Sequence, residues 1–295
     1  MLSRRVEADL ALIANTFIWG ATFVIVKDAL RDAAPIVFLA LRFTLATAVL
    51  LLLFRRQLSS RAGWRAGVAI GLFLFAGYVF QTVGLQFTTP SKSAFITGLS
   101  VVMVPLLLAV GSGRWIGVWQ AMGVLGAAIG MYFLTVPPGR LEIGGGDLLT
   151  LACALCFALH IILVGRFSPQ HPAGVLVTAQ VATALVLSLA SLPLLAALGR
   201  RDALALHFTP RLALAILVTA VLATALVFAI QVWAQRHTSP THTAIIFSLE
   251  PVFAWLTSFV VLGERLGMRG TLGALLILAG IVVVELKGGA PTPVE

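Results

Sequence analysis

The stretch Ser239-Pro240-Thr241-His242-Thr243 leads into an apolar run that holds Glu250-Pro251, turns at Gly263-Glu264-Arg265-Leu266, and continues as a second apolar run from Thr271 to Val284. Two apolar runs around a short charged turn read as a transmembrane hairpin. Sliding the sequence back by 150 positions finds a second copy of it. Pro90, Ala94, Leu99 and Gly113 fall under Pro240, Ala244, Leu249 and Gly263. Gly117, Gly123, Leu125 and Gly130 fall under Gly267, Gly273, Leu275 and Gly280, and Gln81 falls under Gln231. The sequence therefore reads as a duplication, with a first repeat over 1–140 and a second over 141–295.

Composition points to the same solvent. Hydrophobic residues make up 60% of the chain and charged residues 11%, against roughly 25% charged in a soluble domain. That much apolar surface needs a lipid bilayer around it. The net charge of +9 does not indicate nucleic acid, because the basic residues sit in the breaks between apolar runs and form no single basic face. Cys153 and Cys156 lie within an apolar run and read as packing residues. Arg4 and Arg5 precede an apolar run with no small-residue cleavage site, so that run reads as the first span and not as a removed signal.

Ten spans are expected, near Asp9–Val26, Ala34–Phe54, Ala66–Thr88, Ser93–Gly111, Trp115–Val136, Asp147–Gly165, Pro172–Leu198, Leu212–Gln235, Thr243–Gly263 and Arg269–Glu285. Each is close to the ~20 residues that cross a ~30 Å hydrocarbon core. The fold class is thus an all-α integral membrane protein with every backbone group at depth satisfied inside helices. Asp9 and Asp147 read as matching N-caps of the first and sixth spans, and Pro35 and Pro172 open the second and seventh. Five spans per repeat is an odd number, so the second copy enters the membrane inverted. This 5+5 inverted repeat places a substrate site near the midplane between the halves. The early cytoplasmic segments would carry Arg4, Arg5, Arg55, Arg56, Arg61 and Arg65 against Lys27 and Arg31 outside, which puts both termini in the cytoplasm.

The motifs resemble those of the EamA family in the drug/metabolite transporter superfamily. The resemblance rests on Trp19-Gly20, Ala40-Leu41-Arg42-Phe43, Leu249-Glu250-Pro251, Leu262-Gly263-Glu264-Arg265 and the glycines Gly273 and Gly280. It implies ten helices, cytoplasmic termini in the inner membrane, and export of amino acids or other small metabolites. Two positions depart from a matched pair of repeats: Ser100 lies where the second copy has Glu250, with its proline displaced to Pro105, and Arg114 lies under Glu264.

Polar groups inside a bilayer are costly and face a cavity or one another. Glu250 lies seven residues into its span, about 10 Å deep at ~1.5 Å per residue. It reads either as a proton-coupling or cation-contacting carboxylate, or as a helix-packing group beside the Pro251 kink. Arg42, similarly deep, reads first as structural, paired with a carboxylate or with helix-end carbonyls. Asn15, Trp19 and Thr22 share one face of the first span; Ser93, Thr97 and Ser100 share one of the fourth. Tyr78 and Gln81 share a face of the third span, and Gln231 is the repeat partner of Gln81. Cys156 and His160 share a face of the sixth beside Phe157. The expected substrate-facing set is Asn15, Trp19, Tyr78, Gln81, Thr97, Ser100, Phe157, His160 and Gln231, with small hydroxyls also serving to glue helices together. Lys27, Lys92 and His242 sit near span ends and are expected to snorkel. Trp64, Trp115 and Trp119 read as interfacial residues.

No catalytic residue set, metal cluster or cofactor motif is expected. Gly144 to Gly146 is not followed by a Gly-Lys-Ser/Thr sequence and reads as a flexible turn. Without a phosphate loop, transport must run on a solute or ion gradient. The expected function is a secondary exporter of small metabolites such as amino acids, working by alternating access as a monomer in the lipid bilayer. The alternatives are a proton-coupled exporter of cationic drugs, and a channel-like or structural membrane protein.

Overall fold

The computed structural model describes residues 3–88, 90–113, 115–136, 144–262 and 267–287. The helices are α1 (Arg4–Ala29), α2 (Pro35–Phe54), α3 (Arg61–Phe87), α4 (Pro90–Gly98), α5 (Ser100–Ser112), α6 (Val118–Thr135) and α7 (Gly145–Phe167). They continue with α8 (Ala173–Ala197), α9 (Pro210–Ala220), a π-helical segment (Val221–Leu226), α10 (Val227–Ala234), α11 (Pro240–Phe247), α12 (Glu250–Leu262) and α13 (Met268–Lys287). Among the described residues, seven helices are long and apolar enough to cross a membrane, counting Ser93–Ser112 and Pro210–Ala234 as single rods. Two shorter apolar helices, Val118–Phe133 and Met268–Val284, lie in the expected fifth and tenth spans.

The expected fourth and ninth spans are each broken, at Leu99 and at Leu249. Both breaks are tightened by i→i−3 bonds: Leu99 N–H to Ile96 O at 3.1 Å, and Leu249 N–H to Ile246 O at 3.0 Å. At the second break Pro251 has no N–H to offer the carbonyl of Phe247, which removes one rung of the helix ladder. Exposed Leu52, Leu53, Val110, Val186 and Leu214 turn apolar side chains outward, as a protein in lipid must.

Small residues set the closest seams. On α6 and α13, Gly123 and Gly280 face each other so closely that a Cβ on either would stand 2.7 Å from the other's carbonyl oxygen. Gly84 of α3 and Gly146 of α7 meet in the same way, at 2.8 Å in both directions. Besides these pairs, α3 packs on α8, α2 on α8 and on α9, α1 on α10, α11 and α12, α7 on α4 and α5, and α11 on α5. Without a hydrophobic force between helices in lipid, such close approach is what holds them together.

Several expectations need correction. α1 begins at Arg4 with Ser3 as its N-cap, so Asp9 lies inside the helix, where Oδ1 is 3.1 Å from His242 Nε2. His242 is buried and does not snorkel; it serves α1–α11 packing. Asp147 is not an N-cap either: Gly144 caps α7, and Asp147 Oδ2 reaches back to accept from Gly144 N–H at 2.8 Å. The glycine run expected as a flexible turn is largely the first turn of α7. Lys27 does reach a helix end, donating to the carbonyls of Leu85 and Thr88 at the C-terminus of α3. The charged turn Gly263-Glu264-Arg265-Leu266, Arg114 and Arg140 lie outside the described residues, as does the side chain of Lys92. Trp115 and Trp119 are exposed at the start of α6, and Trp64 Nε1 donates to Leu58 O at 2.9 Å.

A clasp joins the α1–α2 loop to the α8–α9 loop. Ala33 and Leu206 form an antiparallel bridge, Ala34 N–H donates to Ala205 O, and His207 N–H donates to Asp32 O. Thr209 Oγ1 donates to Asp32 Oδ2 at 2.8 Å, and Arg211 Nη2 lies 2.9 Å from the same oxygen. The Thr209 hydrogen bond first, then the Arg211 guanidinium, hold the Asp32 carboxyl below its ordinary value.

Candidate functional site

The breaks at Leu99 and Leu249 flank one cavity, and the π segment Val221–Leu226 holds two of its lining residues, Trp19 and Arg42. The cavity offers about 80 Å³ to the centres of water-sized molecules, several times what one buried water requires. Its walls come from both halves of the chain. Trp19, Thr22, Phe23 and Val26 enter from α1, Arg42 from α2, and Tyr78, Gln81, Thr82 and Leu85 from α3. Thr97, Gly98 and Ser100 flank the first break, while Phe247 and Glu250 flank the second. α7 gives Phe157, His160 and Ile161, and α10 gives Phe228 and Gln231.

Eight of the nine residues expected to face a substrate thus line one space, together with Arg42 and Glu250, the two candidates read as coupling or structural charges. The exception is Asn15, fully buried, whose Nδ2 donates to Val227 O at 2.8 Å. It pins α1 to α10. The expected helix faces hold in part: Thr22 stays with Trp19, and Thr97 and Ser100 both reach the cavity, whereas Ser93 is buried without reaching it. Cys153 is buried and Cys156 partly so, both as free thiols. α2 was not among the expected walls, and Arg42 brings it in.

The polar groups are held in a graded way. His160 Nε2 and Gln180 Oε1 of α8 are 2.7 Å apart, so the imidazole is already engaged on its far side. Gln81 Nε2 donates to Thr97 Oγ1 at 3.4 Å, and Gln231 Nε2 donates to Gln235 Oε1 at 2.9 Å. The two repeat-related glutamines thus stand in one wall each. Gln231 Oε1 has no hydrogen-bond partner.

Arg42 is the most heavily anchored group. Its Nε donates to Thr224 Oγ1 at 2.7 Å, and its Nη2 donates to Ala223 O at 2.9 Å and Tyr78 Oη at 3.0 Å. The guanidinium carbon also lies 4.5 Å from the centre of the Tyr78 ring. Of the two partner types expected for it, the described residues supply a helix carbonyl and no carboxylate. Trp19 Nε1 donates to the same Ala223 carbonyl at 3.2 Å, and its ring packs edge-on against Phe247. Tyr78 stacks edge-on against Phe43 and Phe157, so an aromatic frame surrounds the polar centre. Glu250 has no hydrogen bond or ion pair among the described residues. Gln180, Thr224, Phe228 and Phe247 did not emerge from helical spacing. Gln180 carried a legible signal as a lone amide in an apolar run.

A closed bundle of apolar helices around a polar, aromatic-walled chamber defines a multi-pass membrane protein of the solute-transporter class. The profile of the EamA-like transporter family matches residues 7–136 and again residues 144–286, and the chain belongs to that family. Members of this family are transporters and not enzymes. An uncharacterized transporter of Archaeoglobus fulgidus is 34% identical over 292 residues, covering 96% of this chain and 87% of the relative. The uncharacterized transporter YyaM of Bacillus subtilis is 26% identical, covering 93% and 92%. The S-adenosylmethionine/S-adenosylhomocysteine transporter of Chlamydia muridarum is 32% identical over 142 residues, 46% of this chain and 42% of that protein. A solved crystal structure shares the fold with a TM-score of 0.78 at 19% identity, covering 95% of this chain and 98% of the other.

Proposed function

We propose that this chain is a secondary transporter that exports small metabolites, amino acids among them, across the inner membrane by alternating access. It is built as two inverted five-helix repeats, 1–140 and 141–295, with both termini cytoplasmic. The observation that carries the reading is the cavity: polar and aromatic, set beside the two helix breaks, and walled from both halves of the chain. The two family matches fall on either side of the proposed boundary. The breaks at Leu99 and Leu249 are themselves 150 positions apart, matching the internal repeat.

Helix pairing supports the repeat as well. If each expected span has a counterpart five spans later, the α3–α7 seam corresponds to α10–α1, and α3–α8 corresponds to α9–α2. Likewise α4 and α5 on α7 correspond to α11 and α12 on α1. All of these pairs are in contact. Such an arrangement lets one set of helices rock against the other about a fixed midplane site. The absence of a phosphate loop in the sequence leaves solute or ion gradients as the energy source. The substrates in the Chlamydia relative's name carry an amino-acid group, which favours solutes of that kind.

A proton-coupled exporter of cationic solutes is the second reading, favoured by the unpartnered carboxylate of Glu250 in an aromatic-walled space. Counterflow in proteoliposomes decides between them and against a pore. Preloaded amino acids should exchange with labelled amino acid at a saturating rate, and Glu250→Gln should abolish any dependence on an imposed pH gradient. Flux that rises without saturation in the parent refutes the transporter reading. A cationic dye exchanging where no amino acid does selects the second reading.

A further inference from the structure

The π segment does more than bend a helix. Val227 N–H bonds to Leu222 O, five residues back, and to Thr224 O, so the carbonyl of Ala223 loses the amide that a regular α-helix would give it. That freed carbonyl is the acceptor shared by Trp19 Nε1 and Arg42 Nη2. Thr224 Oγ1 donates to Thr219 O at 2.8 Å, again five residues back. With its one proton committed, the Thr224 hydroxyl can only accept from Arg42 Nε. Tyr78 takes the remaining Nη2 donor. Three of the five guanidinium donors are therefore fixed, and the plane of the group is set.

The other two, on Nη1, have no partner among the described residues and are not sealed from the cavity that Arg42 lines. Glu250 presents its carboxyl group to the same cavity, and among the described residues it forms no ion pair with Arg42. A fixed cation with unspent hydrogen-bonding capacity beside an unengaged carboxyl group in one largely apolar chamber is costly unless an occupant satisfies both.

We infer that Arg42, oriented by the π segment, is the residue that takes the carboxylate of the transported solute through Nη1. Glu250 takes its ammonium, so the solute is a zwitterion whose apolar side group lies among Trp19, Phe157 and Phe247. Thr224 acts as a positioning residue through Arg42. This inference rests on the transporter reading above and narrows its substrate class to α-amino acids with apolar or aromatic side chains.

The experiment is counterflow with the full-length protein in liposomes, using labelled leucine and phenylalanine. Unlabelled competitors are the parent amino acid, its methyl ester (no carboxylate), its N-acetyl form (no ammonium) and ethidium (cation only). The amino acids should compete at least about tenfold better than the ester and the N-acetyl form, the loss expected for one charge-assisted contact. Arg42→Gln should lose amino-acid exchange and Arg42→Lys should restore part of it. Thr224→Val should raise the half-saturating concentration with little change in maximal rate. Equal competition by the ester, or exchange by a folded Arg42→Gln protein at the parent's half-saturation, overturns the inference while leaving a transporter. If Arg42→Gln fails to fold, the ester and N-acetyl comparison on the parent still decides. Parent protein that exchanges none of these solutes refutes the transporter reading itself for this class.

Discussion

Gly20→Ala tests whether α1 and α12 truly meet at the cavity. A Cβ at position 20 would stand 2.7 Å from Glu250 O, 2.9 Å from Ala254 N and 3.1 Å from Phe253 Cβ. The two nearest are backbone atoms, so no rotamer change relieves them. Restoring an ordinary 3.4 Å contact requires α12 to recede about 0.7 Å from α1. Overpacking of this kind costs about 1–3 kcal/mol, while replacing glycine within a helix returns up to ~1 kcal/mol. With the full offset the expected net loss is therefore up to about 2 kcal/mol. Because the displaced residue is Glu250, counterflow should fall together with stability. Gly126→Ala is the control: its nearest neighbour, Leu276 O, is 3.7 Å away, so the substitution meets only ordinary contact and should stabilise by about 0.4–1 kcal/mol. The assay is the apparent melting temperature of detergent-purified protein by tryptophan fluorescence, paired with counterflow rates. Equal melting temperatures and rates for both variants and the parent would refute the α1–α12 contact and, with it, the placement of Glu250 at the wall.

Three further outcomes follow from the described contacts. Asp32 has its carboxyl pKa lowered in the folded protein, so the clasp contributes stability above the ordinary carboxylate range and loses it as pH falls through the folded value; thermal melts from pH 7 down to 3 should show an acid-side decline that Asp32→Asn flattens, and parallel profiles would contradict the clasp. Trp19→Phe keeps the ring contacts but removes the bond to Ala223 O, costing about 0.5–1.5 kcal/mol and raising the half-saturating solute concentration; an unchanged melt and affinity would count against that bond. Gln180→Leu strips His160 Nε2 of its observed partner, with an expected loss of about 1–3 kcal/mol by melting, and a neutral result would show that the imidazole is satisfied elsewhere.

Much of the site was legible because lipid penalises polar side chains so heavily. In an aqueous fold, Gln81, Thr97 and Gln231 could face solvent anywhere. Inside a span they must find a cavity or a partner, and all three line the same space. Asn15 shows the limit of that argument, since it solves the same problem by bonding a helix carbonyl. Asp9 and His242 misled for a related reason. Each sits near an end of an apolar run, where water is the default partner, yet together they form a pair between helices remote in sequence, with His242 buried and Asp9 partly so. The hydrophobic pattern gives the ends of a span but not what docks against them.

What spacing could not reveal is the π segment. A 3.6-residue period places neighbours three and four apart, whereas Thr224 bonds Thr219 and Val227 bonds Leu222 at five. The signal was present as two threonines five apart in an alanine- and leucine-rich run, but regular helix geometry reads them as lying on different faces. That irregularity is what matters chemically. A regular helix commits each carbonyl to one of its own amides and leaves a side chain such as Asn15 only the second lone pair. Where the ladder slips, at Val221–Leu226, the Ala223 carbonyl is left free of its own amide and holds both Trp19 and Arg42 at depth. The breaks at Leu99 and Leu249 are the other places where the ladder fails, and they flank the same cavity. Polarity in this chamber thus comes from departures of the backbone as much as from polar side chains, and restoring a regular α-turn at residues 221–226 would take Arg42's carbonyl anchor away without touching Arg42.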